Sequence, residues 1–107
     1  MGILEKRGGR LIVHLPRELD HHYTEEVRRR VDTALRTEAI WELEFDFSGT
    51  AFMDSAGIGL LLGRARMMRA LEGRMFVSHM NEQIMRILAL SGIEQHIRLE
   101  KEEYDEK

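Results

Sequence analysis

The chain has 107 residues, 43% hydrophobic and 33% charged, with a formal net charge of −3 and no cysteine. That length holds one domain rather than two. The mild acidity excludes a basic nucleic-acid footprint, the missing thiols exclude disulfides and thiolate metal sites, and no apolar run reaches the ~18 residues of a membrane span. The N-terminus lacks the apolar core of a signal peptide, so a cytoplasmic location is expected.

Ile3-Leu4 and Leu11 to Leu15 flank Lys6-Arg7-Gly8-Gly9-Arg10. Gly8-Gly9 suits a tight turn with positive φ, and the pattern predicts a β-hairpin. Leu11, Val13 and Leu15 share one face of the second strand, with Ile12 and His14 on the other. Pro16 has no amide to give a ladder and ends the strand. Asp20 or Thr24 can cap a first helix, and Glu25-Glu26 suit a first turn. Val27, Val31, Ala34 and Leu35 then recur at helical spacing, with Arg28, Arg29 and Arg30 largely on the solvated side. That helix is expected to end near Thr37.

From Trp41 to Phe47 the odd positions are large and apolar and the even ones, Glu42, Glu44 and Asp46, are acidic. Such alternation predicts a strand with one covered face and one that meets water or polar cover, hence helices mainly on one side. A Ser48-Gly49-Thr50 turn follows. A second helix is expected from Ser55 to about Leu71, with Ile58, Leu61, Leu62, Ala65 and Met68 inward and Gly59, Gly63, Arg66 and Ala70 outward. Each outward glycine costs about 1 kcal/mol relative to alanine; close approach of a partner is one reason to keep them, and flexibility is another. Met75-Phe76-Val77 reads as a strand. Asn81 can cap a third helix, with Met80 and Met85 as a hydrophobic staple and Ile84, Ile87 and Leu88 as its stripe. Gly92 supplies a left-handed C-cap. Ile97-Arg98-Leu99 is expected as a short last strand, and the charged tail Glu100 to Lys107 as a solvated helix or frayed end.

The chemistry concentrates at Asp54-Ser55. Asp54 is a preferred N-cap type, which places Ser55 as the first helical residue beside the positive end of the helix dipole. From the residues alone three readings of Ser55 stand: a cap-supporting serine, a nucleophile, or a phosphorylation acceptor. A hydrolase elbow would be Gly-x-Ser-x-Gly, but Met53 stands at the first glycine and no His/acid pair stands out. A phosphoryl group at a helix N-terminus suits the dipole, yet adds about −1.5 to −2 charge next to Asp54. The five histidines show no recognised ligand spacing, and adjacent His21-His22 point about 100° apart on a helix; no metal is expected. Gly57-x-Gly59-x-x-x-Gly63 matches neither a P-loop nor a dinucleotide fingerprint, and no cofactor is expected.

Phe52-Met53-Asp54-Ser55-x-Gly57-x-Gly59, with Glu18-Leu19-Asp20-His21-His22 upstream and Leu90-Ser91-Gly92-Ile93 downstream, resembles the STAS-domain anti-sigma factor antagonists, above all the sporulation type that controls sigma-F. The likeness runs from about residue 10 to residue 99. It implies an α/β STAS fold: a mixed sheet of four or five strands with about three or four helices mainly on one face. A single domain over residues 1–107 is expected, with its core at about 3–99.

The resemblance also implies partner switching rather than catalysis. In that family the unmodified protein binds an anti-sigma factor that is also a serine kinase, and a sigma factor is released. The kinase, using its own ATP, phosphorylates the serine after the aspartate, and a metal-dependent serine phosphatase resets the cycle. Carried over by position, the acceptor is Ser55. Asp20, Glu18, His21, Asp54, Gly57, Ile58 and Leu61 join it as the expected partner-binding surface. Ala56 stands where close relatives often have a second serine. Arg17 replaces the usual glycine before Glu-Leu-Asp, which bears on the loop and on partner choice. The chain stops at Lys107, where many relatives continue into a C-terminal helix. A monomer is expected when free. The alternative is a scaffold subunit of a stress-signalling assembly, or a module that senses a small ligand or nucleotide.

Overall fold

Gly8 adopts φ +59°, a left-handed turn conformation open to glycine at no steric cost. It reverses the chain between β1 (Leu4–Arg7) and β2 (Arg10–His14), an antiparallel hairpin with Leu4 opposite Val13. The computed structural model describes residues 3–96 and 100–102. After the hairpin come β3 (Glu18–Leu19), α1 (His21–Thr37), β4 (Glu42–Asp46), β5 (Phe52–Met53) and α2 (Ser55–Ala70). β6 (Arg74–Ser78), α3 (Glu82–Ser91), α4 (Ile93–His96) and β7 (Glu100–Glu102) complete the described chain. The main sheet has five strands in the order β1-β2-β4-β6-β7. Only the hairpin pair is antiparallel in it; the other neighbours are parallel. β3 and β5 pair in parallel as a separate small sheet.

Period-two alternation sorts the sheet into two unlike faces. Leu11, Val13, Leu43, Phe45, Met75 and Val77 point into one core, where they meet Val27, Val31, Ala34 and Leu35 of α1, Leu61, Ala65 and Met68 of α2, and Ile84 and Leu88 of α3. The opposite face is closed by its own polar side chains. Glu44, only 2% exposed, accepts from Arg10 Nη1 at 3.0 Å and from the Ser78 hydroxyl at 2.6 Å. Arg10 also donates to Glu42 at 3.0 Å and makes a two-pronged contact with Glu102 at 2.7 and 2.8 Å. Its guanidinium lies 4.3 Å from the Phe76 ring centre. A buried carboxylate row is tolerable only because charged donors face it.

Several expectations shift. Trp41 is not a core residue: it is 64% exposed and lies over Gly9, where any Cβ would strike the indole. Asp20, not Thr24, caps α1. Because α1 starts at His21, Glu25 and Glu26 fall beyond its first turn and pair with Arg28, Arg29 and Arg30. On α2 the buried set is Gly57, Leu60, Leu61, Arg64, Ala65 and Met68, with Ile58 and Leu62 half-buried. The buried face is turned by about one position, because Leu60 and Arg64 line the groove against α1 and Arg64 Nε reaches Asp32 at 3.1 Å. Asn81 caps α3 and Gly92 ends it at φ +73° as expected, but Met85 is 39% exposed while Met80 packs against the core. The expected strand Ile97-Arg98-Leu99 lies outside the described residues. Glu100–Glu102, read as solvated tail, is instead a strand parallel to β6, with Glu100 held by Arg74 and Glu102 by Arg10.

Candidate functional site at two helix starts

α1 and α2 begin side by side because the strands before them pair. Glu18 is in register with Phe52 and Leu19 with Met53. The two approaches are tied again upstream: the Ala51 amide donates to the Arg17 carbonyl at 2.8 Å, and the Thr50 hydroxyl to the Pro16 carbonyl at 2.8 Å. Arg17, exposed, thus contributes through its backbone. The turn after β4 hangs from Asp46, which accepts from the Ser48 amide at 2.9 Å and its hydroxyl at 3.2 Å. His14 and His79 contact the same carboxylate at 2.9 and 3.0 Å. Burial pushes the Asp46 carboxyl up, but the Ser48 amide, His79, the Ser48 hydroxyl and His14 outweigh it and hold it below the usual carboxylate range. His14 is pushed up, chiefly by its 2.7 Å contact with Glu5, against burial and with help from Asp46.

At the junctions themselves the caps differ. The Asp20 carboxylate accepts from the Tyr23 amide at 3.1 Å, within its own helix. The Asp54 carboxylate accepts from the Ala56 amide of α2 at 2.8 Å and from the His21 amide of α1 at 3.2 Å. One carboxylate therefore faces the positive ends of two helices. Ser55 follows it, exposed, on the first turn of α2. Among the described residues nothing hydrogen-bonds its hydroxyl. A side chain so placed is free for transfer chemistry by a partner and carries no packing duty.

Of the expected surface, the structure brings Asp20, His21, Asp54 and Ser55 together, with Glu18 exposed on the strand that enters α1 and Ile58 half-buried on α2. Two members are corrected. Leu61 is 0% exposed in the core. Gly57 is buried against Met53 and Leu19, leaving no room for a Cβ. Gly57 follows from the turned face of α2, whereas Leu61 keeps the inward place that its helical spacing predicts. Tyr23 and Phe52, 46% and 45% exposed, flank the same end and were not singled out. Their signal was faint: a lone aromatic in a polar first turn, and one before an aspartate cap. The groove between α1 and α2 is lined in part by His21, Thr24, Ala56 and Gly59. Among the described residues no group of three or more His, Cys, Asp or Glu could hold a metal ion, and no described helix is long and apolar enough to cross a membrane.

The model of the STAS domain matches residues 3–106. An anti-sigma F factor antagonist of Paenibacillus polymyxa is 36% identical over 90 residues, 84% of this chain and 77% of that one. The anti-sigma factor antagonist SpoIIAA in its unphosphorylated form superposes with a TM-score of 0.83 at 30% identity, covering 96% of this chain and 87% of that one. The Bacillus cell fate determinant SpoIIAA in its phosphorylated form gives 0.77 at 30% identity, covering 96% and 90%. The paired helix starts, the one-sided core and these likenesses converge: the chain belongs to the STAS domain family.

Proposed function

We propose that this protein is an anti-sigma factor antagonist whose unmodified form binds an anti-sigma factor with serine kinase activity, and that phosphorylation of Ser55 ends the binding. The observation that carries the reading is the exposed Ser55 hydroxyl on the first turn of α2, beside Asp54 and against the start of α1. Support comes from relatives described as anti-sigma F factor antagonists and from one solved in a phosphorylated form. Asp20, Glu18, His21 and Ser55 form the polar part of the contact, and half-buried Ile58 with exposed Tyr23 and Phe52 adds apolar area. The protein contributes no catalysis; ATP belongs to the kinase, and a metal-dependent phosphatase restores the serine. Release of a sporulation sigma factor in the cytoplasm is the expected outcome.

The switch is electrostatic. A dianion at the centre of a desolvated contact, next to Asp54, costs several kcal/mol if it is left unpaired, and each 1.4 kcal/mol is tenfold in affinity. Phosphorylation is therefore expected to weaken binding by about a hundredfold or more while circular dichroism stays unchanged. The test is incubation of the protein and its Ser55→Ala variant with the anti-sigma kinase and ATP, read by mass spectrometry. Full labelling of Ser55→Ala would overturn the assignment.

A further inference from the structure

We propose that Asp54 is a positioning residue that fastens the start of α1 to the start of α2, and that negative charge on Ser55 reaches α1 through it. The second half rests on the phosphorylation reading above; the first does not. α1 leaves its own first amide unserved. Asp20 gives its carboxylate to Tyr23 and its carbonyl to Thr24, so the amide of His21 turns to Asp54, 33 positions along the chain. The first amides of a helix have no partner within it, and one from outside fixes the helix end. Asp54 is itself held, its amide donating to the Leu19 carbonyl at 3.3 Å. A carboxylate has two oxygens, and here each serves a different helix.

Ser55 is the next residue. A phosphoryl group on its hydroxyl brings strong acceptor oxygens that compete for the same amides, and charge that repels the carboxylate. Of the two bonds, the one to His21 is longer, 3.2 Å against 2.8 Å, and it spans two elements, so it yields first. The first turn of α1, at His21, would then loosen against α2 while the β3–β5 pairing keeps the two helix starts side by side. A phosphoryl group would thus act twice: directly at α2, and at α1 by loss of its outside acceptor.

The rival account is that Asp54 only caps α2. Asp54→Asn separates the two, since an amide keeps one acceptor oxygen and turns the other position into a donor. It can serve Ala56 or His21, not both. Water-exchange NMR on the whole chain is expected to show the His21 amide exchanging about fivefold faster in Asp54→Asn, with Ala56 near the unmodified rate. In Asp54→Ala both amides are expected to speed up together. A His21 amide untouched by either substitution would overturn the proposal. For the relay, Ser55→Glu is expected to shift the His21 resonance in the Asp54 background and not in Asp54→Asn; equal shifts in both would overturn that half. None of these arms uses a kinase. Failure of the kinase to label Ser55 would leave the fastening intact, and failure of the fastening would leave the phosphorylation reading intact.

Discussion

Asp20 and Asp54 stand in almost the same backbone conformation, φ −102°, ψ −176° and φ −101°, ψ −173°. Each sits between a two-residue strand and a helix. Three residues further on the likeness ends. Tyr23 in α1 is 46% exposed, whereas Gly57 in α2 is pressed against Met53 and Leu19. The start of α1 lies on the outside of the molecule and borrows an anchor; the start of α2 is packed from within and lends one. Equal backbone geometry at the caps therefore does not mean equal anchoring. The exposed Ser55 hydroxyl sits on α2, the member that lends the anchor.

The comparison can be broken most sharply at Gly57. Gly57→Ala is expected to destabilise by about 2 kcal/mol, the overpacking against buried Met53 outweighing the helical gain of about 1 kcal/mol. Tyr23→Ala should stay within about 0.5 kcal/mol. Urea denaturation reads both, and a neutral Gly57→Ala would show that α2 is no better packed than α1. The caps come next. Asp54→Ala should cost about 2 kcal/mol because two amides lose an acceptor, and Asp20→Ala about 1 kcal/mol. Equal costs would erase the distinction. Further along α2, a Cβ at Gly59 or Gly63 meets nothing within 4 Å, so alanine at either is expected to stabilise by about 1 kcal/mol. Weakened binding of the anti-sigma partner by Gly59→Ala, with that gain in stability, would mark α2 as the closer contact.

The smallest effect is one of pH, at the carboxylate that holds the turn before α2. His14 is raised above its ordinary 6.5 by Glu5 and by Asp46. The stability it contributes is complete below about pH 6.5 and is lost as pH rises through the raised value. Asp46 lies below its ordinary 3.8, so its share is present above that value and is lost as pH falls through the lowered one. A shallow decline of the urea midpoint on the alkaline side, absent in His14→Gln, is the expected pattern. A decline unchanged in His14→Gln would move the cause elsewhere.

Much of this architecture was legible in the residues. Gly8-Gly9 announced the hairpin, the odd-even run after Trp41 announced β4, and the spacing of Val27, Val31, Ala34 and Leu35 announced the buried side of α1. Asp54 and Ser55 were legible as cap and first helical residue from local chemistry alone. What stayed hidden depends on partners far away in the chain. β3 and β5, two residues each, carry no period and exist only by pairing with each other. The acidic row of β4 could not declare itself buried without Arg10, which reaches it from β2. Glu100 and Glu102 read as solvent-facing until arginines on β6 and β2 are set opposite them. The inward stripe of α2 was misjudged by one position because a buried arginine, Arg64, counts as polar in any hydrophobic pattern although Asp32 waits for it on α1.

The rim strands of the main sheet carry a consequence of their own. β1 ends in Glu5, Lys6 and Arg7, and β7 consists of Glu100, Lys101 and Glu102. A strand from a neighbouring molecule that tried to extend the ladder would have to dehydrate ionised groups at either border. Fibre-like growth is discouraged along the charged stretches of the described border strands, Glu5 to Arg7 and Glu100 to Glu102.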